Sequence, residues 1–252
     1  MRYTDAPERR AELQQRITDR GYVSSAEAAQ LLGVSEMTVR RDLRLLEEQG
    51  LVRRVAGGAT VTGGVPFDSR STAQSTQKQK IAREAVRELI SARVIALDAG
   101  TTVAAVLPLL PNATVVSHSL PVIEKLAADP SADLIAAGGH YQHDTRSFAG
   151  PFTEEMLRTV RCDTVLLSAT AVTADALWGT NALDAAIKRV LIAQSQRVVL
   201  LADASKFGDE APAAPVRITG LGAIDVVVTD ALIDPAHMQA FEKVGAAIRI
   251  AP

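Results

Sequence analysis

The chain has 252 residues, of which 47% are apolar, and a formal net charge of −2 at pH 7. This length accommodates one large domain or a small domain beside a medium-sized one, and the apolar share is sufficient for a buried core. A near-neutral total excludes a chain that is basic throughout, although a small basic module can still be present. The single cysteine, Cys162, excludes an internal disulfide and fits a reducing compartment.

No targeting or membrane segment is expected. Met1–Arg20 carries charges throughout, unlike a signal peptide, and no apolar run approaches the length of a transmembrane helix. We therefore expect a cytoplasmic protein that does not associate with membranes.

The first fifty residues predict three helices. Glu8–Arg20 has a helical apolar period and ends at a glycine, and Ser24 with Glu27 has the form of a capping box for a short helix that ends at Leu32. Gly33 then makes a tight turn before a third helix, which ends at Gly50. Two helices joined by a short, glycine-containing turn are typical of a helix-turn-helix.

The third predicted helix has one apolar face and one polar face. Val39, Leu43 and Leu46 recur at helical spacing and should be buried. Arginines and hydroxyls on the remaining face would suit the major groove of DNA, where arginine reads guanine or binds phosphate. The candidate DNA-binding residues of this segment are Ser35, Thr38, Arg40, Arg41 and Arg44.

The next segment, LVRRVAGGATV, predicts a pair of strands that turns at Gly57-Gly58. Arg53 and Arg54 lie in its first strand and could contact phosphates, as a wing does. A three-helix domain whose arginines form only a solvated face is the alternative. The sequence thus predicts a winged helix-turn-helix domain over residues 1–61.

Residues 62–77 are rich in Gly, Ser, Thr and Gln and have no hydrophobic period, which predicts a linker. A second interpretation is that Phe67 and Arg70 dock on the following domain. From residue 78 to 252, apolar strands alternate with amphipathic helices, so we expect a larger α/β domain with a mostly parallel sheet.

Ligands of such sheets bind beyond the carboxyl ends of the strands. Polar and glycine residues follow the predicted strands at Asp98–Thr102, Ser117–Ser119, Gly138-Gly139, Asp203–Lys206 and Thr229-Asp230. Gly100-Thr101-Thr102 could cradle an anion at a helix start, or could serve only as a helix cap. Three lysines could complete a phosphate site or could equally be surface residues: Lys78, Lys188 and Lys206. Three aspartates could receive the hydroxyl groups of a sugar: Asp98, Asp184 and Asp203.

SEMTVRRDLRLLEEQGLVRRVAGGAT resembles the signature of the DeoR family of bacterial regulators, and LDAGTT, GTNALDAAIKR and LADASKFG resemble its effector domain. The resemblance implies a C-terminal domain similar to ribose-5-phosphate isomerase that binds phosphorylated sugars or related metabolites. It implies ligand roles for Lys78, Asp98, Gly100, Thr101, Thr102, Lys188, Asp203 and Lys206. Gly139 and Asp184 complete the predicted effector site. Two positions depart from the family pattern, Ser117-His118-Ser119 in place of Thr-Asn-Ser and Asp184 in place of Glu.

We therefore expect a repressor that binds double-stranded operator DNA as a dimer or tetramer and senses a phosphorylated sugar, with neither cofactor nor catalytic residues. A sugar-phosphate isomerase or deaminase with a DNA-binding appendage is one alternative, and a scaffold is another. His140, His143 and Asp144 are too loosely spaced to indicate a metal site and are expected in an exposed loop.

Overall fold

The computed structural model describes residues 6–20, 22–49, 51–55, 57–61, 67–208, 211, 214–230 and 233–252. Contacts between Cα atoms divide the chain into two compact units, Met1–Ala73 and Gln74–Pro252. Among the described residues, no helix is both long and apolar enough to cross a membrane.

The described residues of the N-terminal unit form four helices and a small antiparallel sheet. Its elements are α1 (Ala6–Arg20), β1 (Tyr22–Ser24), α2 (Ser25–Leu32), α3 (Glu36–Glu48), β2 (Val52–Val55), β3 (Gly58–Val61) and α4 (Phe67–Thr72). The sheet has the strand order β1-β3-β2. The helix-turn-helix and the hairpin agree with the sequence prediction, whereas β1 adds a third strand that was not predicted.

Local capping explains where α2 and α3 begin. The Ser24 side chain accepts a hydrogen bond from the Glu27 backbone N–H at 3.0 Å, and Ser35 accepts one from the Thr38 N–H at 3.2 Å. Gly33 ends α2 in the left-handed conformation with φ of 67°, which glycine adopts without steric cost. Between these helices and α1 lies a small core that includes Leu13, Ile17, Val39, Leu43 and Leu46.

The predicted linker contains regular structure in its second half. Residues 67–72 form α4, and α5 begins at Ser75, so part of the predicted linker is helical. Phe67 is buried, and the Arg70 guanidinium carbon lies 5.8 Å from the centre of its ring. Residues 62–66, the remainder of the predicted linker, lie outside the described residues.

The second unit is built on seven parallel strands. Its helices and strands are α5 (Ser75–Ala85), β4 (Val94–Leu97), α6 (Thr101–Ala104), β5 (Thr114–Ser117), α7 (Leu120–Ala127), β6 (Asp133–Ala136), β7 (His140–Gln142), β8 (Ser147–Ala149), α8 (Pro151–Arg158), β9 (Cys162–Ser168), β10 (Ala171–Val172), β11 (Ala176–Gly179), α9 (Ala182–Ala193), β12 (Ser195–Leu201), β13 (Val216–Gly220), β14 (Val226–Asp230), α10 (Pro235–Lys243) and β15 (Ala247–Ala251). The main sheet has the order β15-β14-β12-β9-β4-β5-β6, and every described pairing in it is parallel. The predicted α/β class is confirmed.

Both faces of this sheet are covered, as the continuous apolar runs of its strands require. In β12, Val198 and Leu200 belong to one buried cluster, while Val199 and Leu201 belong to another. The first cluster includes residues of α8, α9 and α10, and the second includes residues of α5, α6 and α7. Helices on both faces leave the carboxyl edge of the strands as the place where polar residues collect.

Two small antiparallel sheets were not predicted. Strands β7 and β8 form a hairpin, and β10, β11 and β13 form a three-stranded sheet. The hairpin contains His140, and His143 lies in its turn; both are exposed, as expected. Among the described residues, no group of three or more His, Cys, Asp or Glu side chains could hold a metal ion.

Candidate functional site

The outer surface of α3 carries the predicted DNA-binding arginines. Arg40, Arg41 and Arg44 are exposed, whereas Val39 and Leu43 on the opposite side are buried. Arg40 pairs with Glu36 at 3.1 Å, and Arg44 lies 3.6 Å from Glu48; exposed pairs of this kind are worth little and do not prevent the arginines from meeting DNA. Together with arginines of α1 they line one open cleft, whose cationic members are Arg9, Arg10, Arg40, Arg41 and Arg44.

The two predicted hydroxyl contacts already serve as a cap. Ser35 accepts from the Thr38 backbone N–H, and the hydroxyl oxygens of the two residues are 2.9 Å apart. Their first role is thus to begin α3 and to set the direction in which its arginines project.

A buried ion pair fixes α3 against α1. Arg9 Nε donates to Asp42 Oδ2 at 2.6 Å, and the two residues are only 6% and 3% exposed. Arg10 lies 3.9 Å from the other oxygen of Asp42. Sequence reasoning missed this pair because Asp42 lies among the arginines of α3 and reads there as a surface charge. A carboxylate at the spacing of Val39, Leu43 and Leu46 was the signal that it faces inward.

The hairpin that follows α3 places its two arginines differently. Arg54 is exposed, and its backbone N–H donates to Glu47 Oε1 at 2.8 Å, which ties β2 to the end of α3. Arg53 is half-buried, and its Nε has no hydrogen-bond partner among the described residues. Arg54 is therefore the residue of this pair that is better placed to reach a phosphate.

In the second unit, a buried charged cluster lies where β4 ends. Asp98 is fully buried, and one of its oxygens accepts three hydrogen bonds. Its Oδ2 receives the Ser168 backbone N–H at 2.9 Å, the Ser168 hydroxyl at 2.7 Å and the Lys188 ammonium. Its Oδ1 lies 3.4 Å from His118 Nε2. Lys188 is also 3.6 Å from Asp184, so α9 contributes both a cation and a second carboxylate.

These contacts determine the protonation of Asp98. Burial alone would raise the pKa of this carboxyl, but the charge of Lys188 and the hydrogen bond and charge of His118 outweigh burial, and the pKa falls well below its usual range. Asp98 is therefore ionised at neutral pH. Because three donors of the chain already occupy Oδ2 and the His118 ring faces Oδ1, the direct role of this carboxylate is to position Lys188, Ser168 and His118.

His118 joins this cluster to the β7–β8 hairpin. Its Nδ1 lies 2.8 Å from the Phe148 carbonyl oxygen, and its own carbonyl accepts from the Phe148 N–H at 2.8 Å. A carbonyl oxygen only accepts, so Nδ1 must carry the proton that is shared with Phe148. The sequence marked His118 as a departure from the family pattern but assigned it no role.

Two glycines of the predicted site lie where no other residue fits. A Cβ on Gly100 would come within 2.2 Å of Ser168 Oγ, and a Cβ on Gly139 within 2.0 Å of Thr153 Oγ1. Gly139 also has φ of +150°. Gly100 therefore permits Ser168, which sequence reasoning missed, to approach Asp98. The position of Ser168 directly after the buried strand β9 was the available signal.

The remaining predicted residues occupy the same sheet edge or its neighbouring helices. Thr101 is half-buried and Thr102 buried in α6, while Lys78 is buried in α5, a helix that packs against α6. Asp203 is buried and accepts from the Ser205 N–H at 3.1 Å, and Lys206 follows it, half-buried, in a short 3-10 turn. The structure thus brings Lys188 into contact with Asp98 and Asp184 and places Asp203 farther along the edge, after β12.

Several buried polar atoms at this edge have no hydrogen-bond partner in the part of the chain that the structure describes. They are Ser119 Oγ after β5, Asp203 Oδ2 after β12, and Thr229 Oγ1 and Asp230 Oδ1 at the end of β14. Buried polar atoms without partners are rare and costly, and a set that follows three strands of one sheet is typical of a ligand site.

The two units together define a transcription regulator that carries a sensor domain. The family model of the DeoR-like helix-turn-helix domain matches residues 9–63, and that of the DeoR C-terminal sensor domain matches residues 73–231. The protein belongs to the DeoR family of transcriptional regulators, which confirms the resemblance drawn from the sequence.

Two similar regulators support this assignment. The chain is 35% identical over 204 residues to the HTH-type transcriptional regulator IolR of Bacillus subtilis, covering 78% of this chain and 81% of that protein. It is 31% identical over 222 residues to the glycerol-3-phosphate regulon repressor of Escherichia coli, covering 85% and 87%. Ribose 5-phosphate isomerase A from Methanocaldococcus jannaschii aligns with a TM-score of 0.39 and 18% identity, over 54% of this chain and 56% of that one. The two family models and the two regulators confirm the expected transcription regulator.

Proposed function

We propose that this regulator represses an operon for sugar or carbon catabolism and that a phosphorylated sugar or a related metabolite controls it in the cytoplasm. The observation that supports effector binding is the set of buried polar atoms at the carboxyl edge of the main sheet, which have no hydrogen-bond partner among the described residues. The similar protein that is named for repressing the glycerol-3-phosphate regulon supports both halves.

On the DNA side, α3 enters the major groove and β2–β3 lies along the backbone. Arg40, Arg41 and Arg44 supply exposed cations on α3, and Arg54 supplies one on the hairpin. Ser35 and Thr38 place the start of α3 against a phosphate, while Arg53 supports the hairpin. A two-fold operator would require at least a dimer, and a dimer or a tetramer satisfies it.

Two arginine variants test this docking. Arg41 has no ion pair among the described residues and lies on the outer face of α3, so Arg41→Ala should weaken operator binding by about 1–3 kcal/mol and relax specificity. Arg54→Ala should weaken binding to all sequences alike and reduce the salt slope by about one unit. Fluorescence anisotropy at several salt concentrations measures both, and unchanged affinity for both variants would rule out this docking.

On the effector side, we propose that Gly100-Thr101-Thr102 holds the phosphate group with help from Lys78, Lys188 and Lys206. Gly139 shapes the neighbouring wall, and Asp184 and Asp203 receive hydroxyls of the sugar. Asp98 acts through Lys188, because its own acceptor positions are filled by the chain. Effector binding then favours an arrangement in which the DNA-binding units no longer match their half-sites.

Calorimetric titration tests the phosphate directly. A phosphorylated sugar should bind about a thousandfold more tightly than its unphosphorylated parent, because the parent lacks the charge that the proposed donors would bind. Thr101→Ala should weaken sugar-phosphate binding and leave operator affinity without effector unchanged. If the sugar and its phosphate bind equally well, Gly100-Thr101-Thr102 serves only as a helix cap.

The same purified protein can be used to test the alternative that the chain is a sugar-phosphate isomerase. We propose that the sensor domain binds its metabolite without turnover, and that the protein is not an enzyme. Incubation with ribose 5-phosphate and related sugar phosphates, followed by chromatography of the products, should recover the starting compound only. Product formation that disappears in Asp98→Asn would favour the enzyme instead.

A further inference from the structure

A large apolar side chain stands on the outer surface of α3. Met37 is 77% exposed, more than Tyr22, Leu31 or Leu51, the other large apolar residues of the N-terminal unit that the structure describes as exposed. Single exposed apolar residues are common on protein surfaces, so exposure alone means little. The position of Met37 on the helix is what makes it informative.

Met37 lies on the same face of α3 as the exposed arginines. Arg40, Arg41 and Arg44 follow it at i+3, i+4 and i+7, the spacing that puts residues on one side of a helix. The buried residues, which include Val39 and Leu43, lie on another side. A DNA duplex that meets these arginines therefore also meets Met37.

The polar side chains next to Met37 at this end of α3 already have partners within the helix. Glu36 is paired with Arg40, and the hydroxyls of Ser35 and Thr38 are engaged with each other in the helix cap. Residues near the N-terminus of a recognition helix are those that contact base edges. In the major groove the apolar feature of a base edge is the C5-methyl group of thymine.

We propose that Met37 is a specificity-determining residue that packs against a thymine methyl group in each operator half-site. The inference rests on the proposed docking of α3 in the major groove. A methionine suits such a contact, because its flexible and polarisable side chain adapts to the groove. The arginines on the same face would then supply the polar and phosphate contacts around an apolar centre.

The test replaces thymine with uracil, which removes only the methyl group. An operator is first selected from a random DNA pool with the wild-type protein, and each thymine is then changed to uracil in turn. At one thymine of each half-site the wild type should lose affinity by about fourfold, the value of one buried methyl-sized group. Met37→Ala should bind the thymine operator about fourfold more weakly than the wild type and should not respond to that uracil.

Two matched variants separate this contact from other effects. Leu31→Ala removes another exposed apolar side chain, one on α2 and outside the arginine face, and should leave both affinity and the uracil response unchanged. Met37→Leu keeps an apolar group and should retain the response. Thermal unfolding should be the same for all four proteins, because Met37 is exposed and packs in no core.

The possible failures are distinguishable. If Met37→Ala and the wild type respond equally to uracil at every thymine, while Arg41→Ala still weakens binding, the methyl contact is wrong and the docking stands. If no DNA is selected, or if Arg41→Ala and Arg54→Ala bind as the wild type does, the docking fails and the inference about Met37 fails with it.

Discussion

His118 and Phe148 are joined by two hydrogen bonds that run in opposite directions. The Phe148 N–H donates to the His118 carbonyl, and His118 Nδ1 donates to the Phe148 carbonyl, each at 2.8 Å. Because His118 also faces Asp98 with its other nitrogen, one side chain connects the β7–β8 hairpin to the charged cluster at the end of β4. A change that disturbs the structure of the hairpin should therefore also disturb the charged cluster, and the reverse should hold.

His118→Ala should leave the Phe148 carbonyl without its side-chain donor and should remove the ring that faces Asp98 Oδ1. The free energy of unfolding should fall by about 1–3 kcal/mol, and effector affinity should fall with it. Urea unfolding followed by circular dichroism, together with calorimetric titration, measures the two effects. His140→Ala is the control, since His140 is exposed on the same hairpin and should change neither quantity.

The Asp98–Lys188 pair should make stability depend on pH in the acid range. The pKa of Asp98 is lowered in the folded state from its ordinary value of 3.8, so the pair contributes fully above that value and its contribution is lost as the pH falls below it. Asp98→Asn should cost about 3–5 kcal/mol at pH 7, because it leaves a buried ammonium without its main partner. The difference between wild type and variant should narrow below pH 3.8.

A double variant checks that this effect comes from the pair. Asp98→Asn combined with Lys188→Met removes both charges and should be less destabilised than the sum of the two single variants. Additive losses, or a difference between wild type and Asp98→Asn that stays constant from pH 7 to pH 3, would contradict the assignment.

Gly100→Ala should disturb the cluster through Ser168. The new Cβ would meet Ser168 Oγ at 2.2 Å, and the serine could avoid it only by leaving Asp98. We expect a loss of about 1–3 kcal/mol in unfolding free energy, as for overpacking elsewhere, and weaker effector binding. Gly222→Ala is the matched control, because a Cβ there meets no atom within 4 Å. Equal stability of the two variants would show that Ser168 moves freely.

Cys162 should be inert in the folded protein. It is buried, and burial together with the nearby Asp163 carboxylate raises the pKa of its thiol to about 11 from 9.0. Alkylation with iodoacetamide at pH 8 should therefore be slow in buffer and fast in 6 M urea, with about one thiol modified per chain once unfolded. Rapid labelling of the native protein would mean that the β9 edge opens.

The parts of the fold that were predictable carry strong local signals. Ser24 and Ser35 cap the starts of α2 and α3, and Gly33 ends α2; all three signals are visible in the sequence. The predicted ends of these two helices agree with the structure to within two residues. The parallel strands were predictable because most are short apolar runs, and the central ones are buried on both faces. By contrast, β1 has only three residues, and α4 has six in a polar segment, which is too short for any period to show.

The site was predictable in its location more than in its contacts. Asp98, Asp184 and Lys188 were expected near one another, and they are in contact. Ser168 and Phe148 were not expected, because each joins the cluster through a close approach between segments that are far apart in the chain. Only tertiary packing creates such contacts. The exposed and buried sides of α3 were separable from the sequence, except at Asp42, whose charge suggested the wrong side.

The buried Arg9–Asp42 pair divides α3 into a side that can vary and a side that cannot. A substitution of either partner alone leaves an unpaired charge in the interior. Related sequences should therefore change the two positions together or keep both. Met37, Arg40, Arg41 and Arg44 carry no such constraint, since they lie outside the core. Operator preference can thus drift during evolution, or be redesigned, by exchanging the outer side of one helix while the domain beneath it stays the same.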